Sequence, residues 1–280
     1  MIVFGLLILT VGFILSVLAI RTARKAVTEK VATHLIDKAT DTAEILDGRV
    51  NSFFQFFEGI ARTPILRDST LSYQEKTAYL MKEASFNSKV HKMNICDMNG
   101  IRYADNGQKI NVSDRDYFMS AAKGKNFIAE PIVSRLDGHF VLACTVPIYD
   151  DDHNVISVLL ATIEASALSN DINDIVVGQT GYCYILGIKG NTIAHKNSEL
   201  VTKAANAIDM AKNDASLREM ANFQKRSLEI DESEIGYYTY KGEKFIASYA
   251  TVKTTGWNVI IKAPVNEFLG TIQKMRVDIR

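Results

Sequence analysis

The sequence has little of what usually announces chemistry. Of its 280 residues only three are cysteines, Cys96, Cys144 and Cys183, far apart and each beside apolar or aromatic residues. No CxxC pair exists, which excludes a zinc ribbon and a thioredoxin-like motif, and the odd count argues against a disulfide framework. No sign of charge is in surplus: 32 basic residues balance 32 acidic ones. That removes the electrostatic ground for a nucleic-acid partner. The five histidines, His34, His91, His139, His153 and His195, show no metal-ligand spacing, and HExxH, GxSxG, GxxxxGK[ST] and GxGxxG are all absent. Neither catalysis, a metal nor a cofactor is expected. "GQTGY" (178–182) lacks the spacing of a phosphate loop, and the acidic run 150–154 lacks that of an EF-hand. The latter reads as a solvated hairpin turn.

What is present begins at the N-terminus. "IVFGLLILTVGFILSVLAI" (residues 2–20) carries no charge. As a helix it spans about 28 Å, close to the roughly 30 Å hydrocarbon core of a bilayer. A basic start and an Ala-x-Ala-like cleavage site are both missing, so an uncleaved membrane anchor over residues 1–21 is expected. Arg21, Arg24 and Lys25 follow at once, and the positive-inside rule would put them in the cytoplasm.

Residues 22–62 contain no proline, and a largely apolar stripe recurs in steps of three and four: Val31, Leu35, Ala39, Thr42, Ile45, Leu46, Val50, Phe53, Phe57 and Ile60. The spacing predicts one amphipathic helix of about 60 Å. Residues 45–60 are expected to pack on the chain's own domain, and residues 25–44 to pair with a second copy as a homodimer stalk. Pro64 ends or kinks the helix.

Beyond a helix at about 72–86 the period changes to two. "KMNICDMNGIRYAD" reads as strand, Asn-Gly turn, strand, and "FIAEPIVS", "HFVLACTVPIYD" and "VISVLLATIEA" as three more strands. A short helix ending at Gly178 is expected next. The layout then repeats: a hairpin in "GYCYILGIKGNTIAH", helical residues 199–224, and a three-strand meander turning at Lys241-Gly242 and Thr255-Gly256. The fold class is α+β, with two antiparallel modules. A last helix starts near Val265.

One stretch could bind. "NVSDRDYFMSAAKGKNF" (111–127) sets Arg115 before Tyr117 and Phe118. A guanidinium can hold a carboxylate, a phosphate or a polar heterocycle through two parallel hydrogen bonds, and the rings can supply apolar faces. Arg115 could equally pair with Asp114 or Asp116 on the surface while Phe118 enters the core. Spacing alone leaves both readings open.

The ordered set "DRDYF", "EP", "DG", "VPIYD", "VISVLLATI", "GQTGYCYI", "KGNTIAH" and "TGWNVIIKAP" resembles the double Cache (dCache) sensor domains of bacterial transmembrane receptors, over roughly residues 35–270. Members include chemoreceptors, sensor histidine kinases and cyclic-dinucleotide enzymes. The resemblance implies a long N-terminal helix carrying two PAS-like modules, held between membrane spans with the sensor outside the cytoplasm, which overrules the positive-inside hint. It divides the chain into an anchor (1–21), a stalk (22–62), a membrane-distal ligand-binding module (63–164), a membrane-proximal module (165–264) and the start of a C-terminal helix (265–280). It implies a ligand in the distal module, with Arg115, Tyr117 and Phe118 on the element that grips a ligand carboxylate in the amino-acid-binding subgroup. That subgroup's later tyrosine and its ammonium-gripping aspartate fall here on Ile132 or Val133 and on Thr162, both departures. A small carboxylate or a nucleobase-like heterocycle, not a typical α-amino acid, is the expected ligand, with Ser134, Cys144 and Thr162 as further pocket liners. A ligand-free module that dimerises or reads a solute-binding protein is the alternative.

Overall fold

A computed structural model describes residues 2–230 and 232–268; the side chains of residues 2, 3, 5–9 and 24 are not among what it describes. Helix α1 (Ile2–Ala61) runs unbroken for 60 residues. It ends before Pro64, which opens the short helix α2 (Pro64–Arg67) at its first turn, where a missing N–H costs nothing. Helix α3 (Tyr73–Ala84) starts with a full capping box: the Ser72 side chain accepts from Glu75 N–H, and the Glu75 side chain accepts from Ser72 N–H.

The first sheet holds β1 (Val90–Cys96), β2 (Ile101–Tyr103), β3 (Lys109–Asn111), β4 (Phe127–Ile128), β5 (Ile132–Val133), β6 (Phe140–Tyr149) and β7 (Val155–Glu164), with helix α4 (Asp116–Ala121) before β4. Its order is β3-β2-β1-β7-β6-β4, with β5 also on β6. The single strand expected in "FIAEPIVS" is two short pieces. Pro131 lies between them and can donate no ladder hydrogen bond.

Helix α5 (Ser166–Ile172) leads to the second sheet: β8 (Val176–Val177), β9 (Gly181–Leu186), β10 (Thr192–Ala194), β11 (Ile235–Tyr240), β12 (Glu243–Thr251) and β13 (Asn258–Pro264). Between β10 and β11 lie α6 (Ser198–Thr202), α7 (Ala207–Met210) and α8 (Arg218–Glu229). The order is β10-β9-β13-β12-β11, with β8 on β9. The first sheet runs β2-β1-β7-β6 along the same path, so the two sheets share one topology.

One face of each sheet packs on α1 in a single continuous core, from Leu35 and Ala39 to Phe57 and Ile60 on the helix. This corrects the expected division of the stripe. Leu35, Ala39 and Ala43 are buried in the chain's own core, whereas Ile45 is exposed. The second sheet reaches further down the helix than one module would need, so it claims positions assigned to a partner copy. Each sheet's other face carries a separate core: Tyr117, Phe118 and Val158 on the first, Tyr184, Phe223 and Tyr249 on the second.

Gly178 does not end a helix. It turns β8 into β9 at φ +69°, and a side chain there would strike Glu267. The Glu267 carboxylate accepts from Gln179 N–H (2.6 Å) and from the Thr180 hydroxyl and N–H. Partial burial opposes its ionisation, but these hydrogen bonds outweigh it and hold the carboxyl below its ordinary value. A depressed acid stabilises the fold above its unfolded pKa, about 4.3, and loses that contribution as pH falls through the lower folded value. Hydrogen exchange should therefore find the Gln179 and Thr180 amides protected at pH 6 and open at pH 3. Glu267→Gln should lose that difference, and unchanged protection in the variant would refute the latch. Residues 265–268 are helical; the rest of the expected C-terminal helix lies outside the described residues. Among the described residues no helix is long and apolar enough to cross a membrane, and the expected anchor includes side chains outside them.

Candidate functional site

Arg115 stands at the N-cap position of α4 in extended backbone, with no capping bond from its side chain. It makes no ion pair with Asp114 or Asp116. Asp114 is taken by Arg135 in a bidentate pair at 2.6 and 2.7 Å, and that bond draws the Asp114 carboxyl down to about 2. The Arg115 Nε is buried with no hydrogen-bond partner. The side chain lines a cleft of about 320 Å³ between the two sheets. One wall is Tyr117 and residues 127–130; the other includes Ile188, Asn191, Thr254 and Trp257.

Glu130, absent from the sequence expectations, ties those walls together. Its carboxylate accepts from Ile188 N–H at 2.8 Å and from Asn191 Nδ2 at 3.0 Å, both in the β9–β10 turn.

Of the other expected residues, Tyr117 lines the cleft while Phe118 packs in the outer core of the first sheet. Burial pushes the Tyr117 phenol up to about 12, while Arg102, Arg115 and Arg135 pull it back. Cys144 requires a correction. Successive residues of β6 face opposite ways, so Ala143 joins the outer core, Thr145 donates to the Tyr117 carbonyl (2.8 Å), and Cys144 faces α1, fully buried. Ser134 also departs from expectation. Its backbone bonds His139 and Gly138, and its hydroxyl accepts from Leu136 N–H, so it builds the turn before β6. Thr162 lies on the outer face, opposite Ala143, with a long 3.5 Å contact to the Lys92 carbonyl. None of these three lines the cleft.

Sequence reading also missed Arg102 and Asn94. Arg102 pairs across the strands with Cys96, so all three side chains share the outer face with Tyr117. Arg102 is 3% exposed. It donates from Nε (2.8 Å) and Nη2 (2.5 Å) to one acceptor, the neutral Asn94 Oδ1. The Asn94 Nδ2 is buried and unpartnered. No carboxylate pairs with Arg102 among the described residues. The Cys96 thiol beside it is pushed up to about 12 by burial, and so is neutral.

A larger depression of about 670 Å³ opens near the end of α1, but its cations Arg62 and Arg67 are paired with Glu58 and Asp151. The fold also brings His91 together with Asp137 and His139, which are remote from it in the sequence. Lys92 Nζ already sits 3.2 Å from Asp137, and the two imidazoles stack at 17°, so their in-plane lone pairs do not converge on one ion.

Two sheets of one topology on a single helix, with an arginine–aromatic element at the first, define a tandem sensor module. A family model described as a Cache domain (dCache_1) matches residues 19–272, and the chain belongs to that family. It is a sensor domain. The methyl-accepting chemotaxis protein TlpA of Bacillus subtilis is 27% identical over 159 residues, 56% of this chain and 21% of TlpA, so the chain spans about a fifth of that relative. The ligand-binding domain of the Pseudomonas fluorescens chemoreceptor CtaA, solved with L-isoleucine, has a TM-score of 0.70 at 14% identity, covering 89% of this chain and 99% of CtaA's. That of Campylobacter jejuni Tlp3, solved with L-valine, has a TM-score of 0.60 at 15% identity, covering 88% and 97%.

Proposed function

We propose that the chain is the extracytoplasmic sensor of a membrane-anchored bacterial receptor, and that its distal module binds a small ligand carrying a carboxylate. The observation behind this is the pair of guanidiniums flanking Tyr117. Arg102 is buried against a neutral amide, and Arg115 has an unpartnered nitrogen in a cleft. Buried charges are stable only when compensated, and an anionic ligand is the missing compensation. Residues 1–21 serve as the anchor, 63–164 as the distal module and 165–264 as the proximal one, with output through residues 265–280. The homodimer uses the face of α1 that carries Ile45, since the opposite stripe is occupied. Ligand closure biases a two-state unit, which Glu130 and the 320 Å³ cleft couple to the second sheet. Output through a methyl-accepting, kinase or cyclase region belongs to the longer protein.

The expected ligand lacks an ammonium group, whereas CtaA and Tlp3 were solved with α-amino acids, and Asp116 at the rim of the cleft offers an ammonium a carboxylate. Titration calorimetry on the full chain in detergent, with L-isoleucine against its 2-oxo acid, separates these classes, and purines test the heterocycle. Arg115→Ala should weaken the binding member by about tenfold to a hundredfold, the value of a charge-assisted hydrogen bond. Unchanged affinity would place the ligand elsewhere. The cleft is rimmed by exposed Asp116, Lys189 and Thr254, which also suits a protein partner such as a solute-binding protein. Silence across the whole panel would favour that reading.

A further inference from the structure

The outer face of the second sheet carries an arrangement that the distal site does not explain. Lys262 stands mid-strand on β13, opposite Tyr182 on β9 and Ala247 on β12. It is 4% exposed and forms no ion pair with any described carboxylate. Four rings surround its ammonium: Phe245 at 4.1 Å, Tyr182 at 4.9 Å, Tyr240 at 5.6 Å and Tyr238 at 5.8 Å. Ring faces offset part of the cost of burying a cation, but they are poor acceptors for three N–H groups. Lys262 Nζ makes no hydrogen bond with any described residue.

The ammonium borders a partly open cavity of about 100 Å³, lined by residues of β9, β13 and the α6–α8 segment. His195 and Gln224 line it too, and both are at least nine-tenths buried. His195 Nδ1 accepts from Asn197 N–H at 2.8 Å. That fixes the proton of the neutral imidazole on Nε2, which has no partner among the described residues. Gln224 donates from Nε2 to the Tyr184 hydroxyl at 3.0 Å, while its Oε1 is buried and unsatisfied. The cavity therefore offers a cation, a neutral N–H donor and a free acceptor. Its volume equals about three water molecules' share of the liquid, at roughly 30 Å³ each. Burial, with Lys196 nearby, lowers the Lys262 ammonium to about 8 and His195 to about 4, the direction expected of a positive site lacking its anion.

We propose that the membrane-proximal module holds a second ligand site, for a small hydroxy-monocarboxylate of two or three carbons. Its carboxylate accepts from Lys262 Nζ and His195 Nε2, and its hydroxyl donates to Gln224 Oε1. The site is independent of Arg115 and of the ligand bound there.

Glycolate and lactate are the probes, titrated into the full chain in detergent with the melting temperature as the readout. Both should raise the melting temperature of the wild type. Arg115→Ala should retain the rise, which separates this site from the distal one. Lys262→Met should remove it, with affinity falling by about tenfold or more for a lost charge-assisted contact. Gln224→Met leaves the cation in place and should weaken glycolate in the same direction, so the test stands even if Lys262→Met fails to fold. The proposal is overturned if neither acid raises the melting temperature, if the rise depends on Arg115, or if it persists at wild-type affinity in both Lys262→Met and Gln224→Met.

Discussion

Arg102→Met should weaken the distal ligand response while leaving the unliganded chain about as stable as the wild type. Removing one member of a buried ion pair normally costs about 3–5 kcal/mol, because the partner charge is stranded. Arg102 has no charged partner to strand. Its two bonds go to Asn94 Oδ1, the Cys96 thiol beside it is neutral, and Asp137 is held by Lys92. Burial lowers the guanidinium pKa, yet arginine stays charged at neutral pH, so its desolvation cost persists in the unliganded protein. Substitution relieves that cost and leaves Asn94 unsatisfied, a penalty of about 1–3 kcal/mol that offsets the gain. The double variant Arg102→Met, Asn94→Leu removes both polar groups and should be more stable than the wild type by about 1–4 kcal/mol, as when buried polar clusters are replaced by apolar ones. Ligand affinity should fall by about tenfold to a hundredfold, one charge-assisted contact being lost at about 1.5–3 kcal/mol. Urea unfolding and calorimetry read the two effects separately. A loss above about 3 kcal/mol in the single variant would mean that Arg102 is a structural cation, and would remove the argument for an anionic ligand.

Features set by neighbouring residues were legible in the sequence. The helix near 72–86, the turns at Asn99-Gly100 and Lys241-Gly242, and the repeated hairpin layout are all set within a few positions, where periodicity and turn chemistry act. Features set by tertiary pairing were not. Strand β6 is apolar along nearly its whole length and buried on both faces, so nothing local reveals that Cys144 faces α1 while its neighbours face outward. The helical stripe gave the buried period but not its owner: only the reach of the second sheet assigns Leu35 and Ala39 to this chain. Arg102 is the instructive omission. Lys92, Asn94 and Cys96 alternate with Met93 and Ile95, which marks a polar-tolerant face on β1, but only the pairing of Cys96 with Arg102 brings the cation onto it. Likewise Glu130 reads as a strand residue until the fold sets it against Ile188 and Asn191.

Trp257→Ala should be the most destabilising single change, because Trp257 belongs to both modules' packing. It is 2% exposed, sits where the Thr255-Gly256 turn enters β13, and joins the continuous core along α1. It borders the Arg115 cleft on one side, and on the other a small apolar void shared with Leu46, Val50, Phe53 and Leu142. Truncating a buried tryptophan costs about 3–5 kcal/mol, through lost transfer free energy and the cavity left behind. For a chain of this size that corresponds to a melting temperature lower by roughly 5–9 °C. The existing void already shows incomplete packing, so the surroundings have room to relax, and Trp257→Phe should recover more than half the loss. Position also gives this residue a role that stability alone does not read. The β12–β13 turn is anchored to α1, with Asp47 accepting from Thr254 N–H at 2.7 Å. Any shift at the Arg115 cleft must therefore move the indole against a fixed turn. In Trp257→Phe, a distal ligand should still bind but should protect the amides of β9 and β13 less than in the wild type, as measured by hydrogen exchange. Equal protection would assign the coupling to Glu130 and the β9–β10 turn instead, because that is the other direct contact between the walls of the cleft.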